Sequence, residues 1–149
     1  MPSIIPGYVY TLFASVIVGT LIVAACAFSV ANVKREAEEQ QLYSIAKYVA
    51  AKCVELTVSR QTENFTVTLR LDVPALIGNQ RYCLHVANDS TRAWVEAGFG
   101  AVVLSGQRRV DIPVTVAASG TYISGSGASA FLQYSGGAAG VSLMLYGGS

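Results

Sequence analysis

The chain has 149 residues, of which 52% are hydrophobic and 13% are charged, and its formal net charge at pH 7 is +1. The ten lysines and arginines are spread along the chain and form no basic patch of the kind that binds nucleic-acid phosphates, so we expect no nucleic-acid partner. The shortage of charge and the mean hydropathy of +0.46 instead indicate association with a membrane.

The first 33 residues contain no Lys, Arg, Asp, Glu or His, and the remainder has a nearly ordinary soluble composition. Residues 8–30 form an apolar run of roughly 23 residues, which as a helix is long enough to cross a hydrocarbon core of about 30 Å. Tyr8 and Tyr10 suit one membrane interface, and Lys34 and Arg35 mark the other. We predict a transmembrane anchor helix over residues 1–33, with membrane lipid as its first partner.

An apolar N-terminal segment has three alternatives to a membrane anchor. A cleaved secretory signal is disfavoured because the segment lacks a basic start and its apolar run is too long. A lipoprotein signal remains open, because Val23-Ala24-Ala25-Cys26 resembles a lipobox in which Cys26 would carry the lipid. A buried core helix of a soluble protein rarely needs this many residues without a polar face.

Small side chains recur four residues apart within the apolar run, a spacing that lets two helices approach closely in lipid. The predicted helix-packing residues are Ser15, Gly19, Thr20 and Ala24. We therefore expect protein partners or self-association through the N-terminal helix.

A charged burst, KREAEEQQ, follows the span, and apolar residues then recur at steps of three and four. The apolar stripe consists of Leu42, Ile45, Val49, Cys53 and Leu56. No glycine or proline interrupts this region, so we predict an amphipathic juxtamembrane helix over residues 34–60, continuous with the anchor. Its stripe is expected to pack on the domain that follows, as one folding unit.

The rest of the chain reads as short strands separated by turn residues. Strict alternation of apolar and polar residues over 64–73 gives the clearest strand, and further strands are predicted at 81–87, 93–99, 101–104, 110–116, 121–124, 128–134 and 141–146. Pro113 indicates an edge position, and Trp94 is expected in the core. The sequence thus predicts an α+β fold: a long transmembrane-plus-amphipathic helix packed on a small antiparallel β-sandwich at 61–149.

No catalytic, cofactor-binding or metal-binding motif is recognisable, so we predict a non-enzymatic protein without cofactors. His85 is the single histidine, which rules out a site with two histidine ligands in one chain. Cys53 and Cys83 are the only pair available for a disulfide, with two buried free thiols as the equal alternative. Asn64 and Asn88 begin glycosylation sequons that matter if the domain is exported.

The side of the membrane is indicated by conflicting signals. Lys34, Arg35, Lys47 and Lys52 follow the span and none precedes it, which by the positive-inside rule places the β domain in the cytoplasm. Long domains, however, translocate largely regardless of charge, and the weakly charged strands with two sequons suit an exposed surface. We predict a single-pass protein whose β domain is extracytoplasmic.

An apolar helix that runs into an amphipathic helix and then a small β domain resembles the layout of type IV pilin-like proteins, particularly archaeal pilins and archaellum accessory (stator) proteins. The resemblance covers the whole chain as a layout. It implies an anchor helix that also packs in an assembly, and the absence of a processing site before the apolar run fits an uncleaved accessory protein. The expected function is a structural or assembly role in a cell-surface apparatus. The alternative is an anchored extracellular module that binds a glycan or exported ligand.

Overall fold

The computed structural model describes residues 4–58, 65–89, 91–102, 108–113, 115–125, 127–137 and 140–148. Within these residues one helix precedes seven strands: α1 (Ile4–Val58), β1 (Phe65–Leu71), β2 (Tyr82–Asn88), β3 (Ala93–Phe99), β4 (Arg109–Ile112), β5 (Ala117–Ile123), β6 (Ser129–Gly137) and β7 (Gly140–Gly148). The predicted α+β class, with a long N-terminal helix before a strand domain, is confirmed.

The chain divides into two compact units between Ala37 and Glu38. The first unit holds the apolar part of α1, where a window of mean hydropathy 2.3 is not buried anywhere in the structure. By length and composition this segment is able to cross a membrane. Its exposure argues against the alternative of a soluble core helix, whose apolar residues would be covered.

The second unit holds the remainder of α1 together with the sheet. The predicted stripe is buried at Leu42, Ile45, Val49 and Cys53, whereas Leu56 lies partly buried at the margin of the core. These side chains share one hydrophobic core with alternate residues of the strands, among them Leu84, Val95, Leu132 and Leu145. Burial of this stripe accounts for a helix that continues as far as Val58, because apolar surface removed from water stabilises by about 25 cal/mol per Å².

The strands form one seven-stranded sheet in the order β1-β6-β7-β5-β2-β3-β4. The expected antiparallel sandwich is corrected in two respects: the helix, rather than a second sheet, covers the inner face, and β5 runs parallel to β7. The sheet is therefore mixed. Short strands with frequent turns indicate antiparallel pairing, but they do not determine which strands become neighbours. Here β5 pairs with β7, although β6 lies between them in the sequence.

Most predicted strands lie where they were expected, with ends shifted by a few residues. The largest differences are in β4, which ends at Ile112 although alternation continues to 116, and in β5, which begins at Ala117. The candidate strand at 101–104 is not formed at Ala101 and Val102, and its other two residues lie outside the described part of the chain. Pro113 follows β4, which is an edge strand as predicted.

Candidate functional site

The apolar part of α1 satisfies its own polar side chains. The hydroxyls of Thr11, Ser15, Thr20 and Ser29 each donate to a backbone carbonyl three or four residues earlier, at 2.8, 2.8, 2.8 and 3.0 Å. A hydroxyl paired within its own helix adds no unsatisfied donor to a lipid environment. The segment is thus suited to a membrane not only by length but also by its hydrogen bonding.

The four predicted helix-packing residues all lie in this exposed stretch of α1. Ser15 and Gly19 are one turn apart, and so are Thr20 and Ala24. Apart from its chain neighbours and the adjacent backbone of its own helix, no described atom lies within 4 Å of a Cβ built on Gly19, so its surface is open to another helix. Their packing against a partner helix stays a prediction.

Two glutamates anchor the first turns of the buried helix segment to loops of the strand domain. Arg108, directly before β4, donates to Glu39 in an ion pair. Gln80 Nε2 donates to Glu38 Oε2 at 3.4 Å. Gly78, at φ +58°, lies so close to Glu38 that an added Cβ would be 2.2 Å from its Oε1 atom. The acidic burst, which composition alone suggests is a solvated surface, therefore fixes this end of the helix segment.

The face of the sheet opposite the helix, here called the outer face, carries a polar and aromatic row. Trp94 Nε1 donates to Glu96 Oε1 at 3.0 Å, and the Arg109 guanidinium lies 3.9 Å from the Trp94 ring centroid. Arg109 Nε also donates to Asp111 Oδ1 at 2.8 Å. Trp94, which was expected in the core, is therefore a half-buried outer-face residue whose ring is covered by a cation.

A second aromatic group lies on the same face near β1. The rings of Phe131 and Tyr146 are stacked with centroids 5.7 Å apart, and Arg70 is paired in register with Phe131. Met144, at 51% exposure, lies on the same phase of β7 as Tyr146. His85, on the same face, is within 2.9 Å of the Thr121 hydroxyl. The outer face thus offers flat aromatic surface beside charged side chains.

A pocket of about 400 Å³ opens where β1 ends, between residues 70–73 and 75 on one side and residues 122, 125 and 127–130 on the other. Arg70 and Asp72 contribute its charged groups, and the Tyr122 hydroxyl donates to the Ala128 carbonyl at 3.2 Å. Across the described residues, no group of three or more His, Cys, Asp or Glu side chains is arranged to hold a metal ion. Arg70 and Asp72 thus give this pocket charged contacts of both signs.

Cys53 and Cys83 are free thiols in the structure, so the proposed disulfide is not formed and the free-thiol alternative is the one observed. Cys53 lies in the core with the helix, whereas Cys83 has the opposite phase to the core residues Tyr82 and Leu84. Side chains alternate between the two faces of a strand, so the two sulfurs lie on opposite sides of the sheet. Burial raises the pKa of both thiols, that of Cys53 to about 12.

Of the two sequon asparagines, the structure describes Asn88. Asn64 lies outside the described residues. Asn88 is exposed at the end of β2, and Asp89 begins a turn in which its carboxylate accepts from the backbone N–H groups of Thr91 and Arg92. These hydrogen bonds lower the pKa of Asp89. Asn88 is thus accessible at the end of β2, as an acceptor for a glycan must be, and the third residue of its sequon lies outside the described residues.

Sequence reasoning missed the outer-face cluster around Trp94, Arg109 and Asp111 and the ring pair of Phe131 and Tyr146. The available signal lay at the strand positions that alternate with the core residues. These positions carry aromatic rings beside charged side chains. No protein-family model, curated protein or solved structure matches this chain.

Proposed function

We propose that this protein is a membrane-anchored structural or assembly component of a cell-surface apparatus, pilin-like in layout, with no catalytic role. One observation carries the proposal: a single helix supplies both an exposed apolar segment with internally satisfied hydroxyls and a segment buried in the core of the strand domain. The helix that carries the apolar segment is therefore also an element of the strand domain's own core.

The chemistry of the strand domain is consistent with a structural role. Cys53 and Cys83 have raised pKa values because they are buried, and a thiol that stays protonated is a weak nucleophile. His85 is hydrogen-bonded to Thr121, and Asp89 is held by turn hydrogen bonds. The partners we propose are membrane lipid and other proteins that contact the N-terminal helix.

We further propose that the strand domain is extracytoplasmic. The unit that begins at Glu38 is longer than the roughly 60 residues over which positive charges direct orientation, so the lysines beyond the span do not fix its side. The exposed Asn88 turn and the low charge of the strands suit an exported surface.

Sidedness can be measured with one introduced thiol. Ser119 is exposed on the outer face, whereas Cys53 and Cys83 are buried and Cys26 lies in the apolar segment. A Ser119→Cys chain in intact cells should therefore react with a membrane-impermeant maleimide, and the wild-type chain is the control. Labelling that appears only after permeabilisation would place the domain in the cytoplasm and end the surface-apparatus proposal.

Association and processing can be tested on the same cells. Intact-mass analysis should show the full N-terminus, and native-membrane complexes should contain more than one chain or a partner protein. A monomer that is unassociated in native membranes would contradict an assembly role. A mass increase at Cys26 matching a lipid would instead support the lipobox alternative.

The second candidate function, a module that binds a glycan or exported ligand, is favoured by the stacked rings of Phe131 and Tyr146 on the outer face. Sugar rings pack on aromatic faces, and Arg70 beside them provides donors for hydroxyl or carboxylate oxygens. Glycan-array binding that is lost in Tyr146→Ala but kept in the neighbouring Met144→Ala would support this function. Equal binding by both variants and wild type would count against it.

A further inference from the structure

The two edge strands of the sheet carry the same charge pattern. The edges are β1 and β4. Arg70 lies in β1 and Asp72 follows the last residue of that strand, whereas Arg109 and Asp111 are separated by one residue within β4. All four side chains are exposed. Within the described part of the chain, neither Arg70 nor Asp72 forms an ion pair, although both are presented at an edge.

The direction of the edges follows from the one parallel pair. Five neighbouring pairs in the sheet are antiparallel and one, β5 with β7, is parallel. Strands β1 and β4 therefore run in opposite directions. When β4 of one copy extends the sheet beside β1 of the next copy, the new pair is antiparallel, which is the pairing with the better hydrogen-bond geometry. A sheet with only antiparallel pairs would have given parallel edges instead.

A single register matches all four residues of β4. Placing Asp111 opposite Arg70 of the next copy also places Arg109 opposite Asp72, so both outer-face pairs join opposite charges. On the inner face the same register places Ile112 opposite Leu69 and Val110 opposite Leu71, both apolar pairs.

Neighbouring registers are disfavoured by charge or by phase. A shift of two residues in one direction opposes Arg70 with Arg109, and a shift of two in the other direction opposes Asp72 with Asp111. Like charges directly opposite each other are destabilising. A shift of one residue turns the apolar side chains of one strand to the outer face. Opposite charges on the outer face and apolar pairs on the inner face therefore favour the same register.

We propose that the strand domain associates with a second copy of this chain, head to tail, through antiparallel pairing of the β4 edge with the β1 edge of its neighbour in this register. Among the described strands, β1 and β4 each have a neighbour on one side only, and an edge of this kind is a template for strand addition. Arg109 has five donors, so it can keep its bond to Asp111 while reaching Asp72 of the next copy. A head-to-tail contact uses two different edges and does not close, so it can continue beyond two copies.

The contact can be tested by disulfide cross-linking of the full-length chain in detergent, in a Cys26→Ser background that removes the exposed native thiol. One chain carries Arg70→Cys and a second, with a different tag, carries Asp111→Cys. The mixture should give a cross-linked heterodimer, whereas each variant alone should give no cross-link. A mixture of Thr66→Cys with Asp111→Cys keeps the same face but is four residues out of register, so it should cross-link much less.

Three results would overturn the proposal. Cross-linking by Arg70→Cys alone would show a symmetric pairing of two β1 edges, and cross-linking by Asp111→Cys alone would show a symmetric pairing of two β4 edges. An absence of cross-links in every mixture would remove edge pairing altogether. Because all three introduced thiols replace exposed residues, the fold can be checked in each variant by its thermal unfolding.

A charge exchange provides an independent test without introduced thiols. Arg70→Asp opposes two aspartates across the contact, so the association constant of the chain should fall roughly tenfold. A chain with both Arg70→Asp and Asp111→Arg restores opposite charges and should recover association. Failure of the double variant to recover, after a loss in the single variant, would contradict the register. This association concerns the strand domain alone, so it can fail while membrane anchoring and sidedness stand.

Discussion

Ser124 and Tyr82 hold each other through two hydrogen bonds at the end of the β2–β5 ladder. The Tyr82 backbone N–H donates to the Ser124 hydroxyl oxygen at 2.7 Å, and the Ser124 backbone N–H donates to the Tyr82 carbonyl at 2.9 Å. Both residues are fully buried. The Ser124 side chain therefore takes the place of a backbone acceptor where the chain leaves β5 and turns.

Replacing Ser124 with alanine should remove the acceptor and leave the Tyr82 N–H buried without a partner. The expected cost is about 1–3 kcal/mol of the free energy of unfolding, since a buried donor loses its partner and cannot regain water. Urea unfolding of the full chain in detergent measures this change. Ser119→Ala, at an exposed position of the same strand, is the matched control and should change stability little. Equal effects of the two variants would show that the Ser124 hydroxyl does not matter.

Much of this fold follows from local patterns in the sequence. Three features can be read from short stretches of sequence: the apolar run, the stripe from Leu42 to Cys53 and the alternation in β1. The structure has all three where they were expected. Pairing across the sheet is different, because the neighbour of β5 is decided by how β6 and β7 fold back. Gly120 lies in the parallel β5–β7 pair, where its backbone contacts that of Leu145. The need for glycine at this position follows from that contact and is not visible in the sequence.

The outer face escaped prediction for a related reason. Trp94 is large and apolar, so the residue type alone favours the core. Its actual place depends on Arg109, which the β3–β4 pairing brings beside the ring. Similarly, Glu39 attaches the helix to the strand domain through an ion pair with Arg108, which is distant in sequence. Local periodicity therefore indicates which residues face the core, whereas the candidate site arises from contacts between distant strands.

Gly120→Ala should destabilise the strand domain severely. Gly120 has φ +121°, and an added Cβ would lie 2.1 Å from the Leu145 carbonyl oxygen, which is backbone and cannot rotate away. The combined backbone strain and overpacking should cost roughly 2–5 kcal/mol in the free energy of unfolding. In Gly147→Ala, the added Cβ would lie 3.4 Å from the Tyr122 ring and 3.5 Å from the Ala128 Cβ, which are ordinary van der Waals distances, so this variant is the control. Similar unfolding midpoints for the two variants would show that the parallel β5–β7 contact is looser than described.

Stability should fall with rising pH because of Cys53. Burial raises the pKa of this thiol to about 12 in the folded protein, whereas an unfolded cysteine ionises near pH 8.5. Above that pH the unfolded state releases the proton and the folded state keeps it, so the contribution is complete below pH 8.5 and is lost progressively up to pH 12. At pH 9.5 the expected loss from this group is about 1 kcal/mol.

Cys53→Ala isolates this titration. The variant should be less stable at pH 7 because it leaves a small cavity, but its stability should fall less steeply than that of the wild type between pH 7.5 and 9.5. Tyr82 and Tyr122, whose pKa values are also raised by burial, add their own loss only at higher pH and are common to both proteins. Parallel slopes for the two proteins would show that Cys53 is not protected from ionisation in the folded state.

Two acidic substitutions in the apolar segment should release the protein from membranes. Ile17 and Leu21 are exposed and lie one turn apart in the middle of the predicted span. An aspartate at the centre of a membrane helix costs about 2.5–3.5 kcal/mol, so Ile17→Asp with Leu21→Asp should lower membrane partition strongly, whereas Ile17→Ala with Leu21→Ala should retain it. Alkaline extraction of membranes measures the retained fraction. Because neither position belongs to the buried core, unfolding of the strand domain should be unchanged in both variants. Retention of the acidic variant in the membrane pellet would show that something other than this helix, such as a lipid on Cys26, provides the anchor.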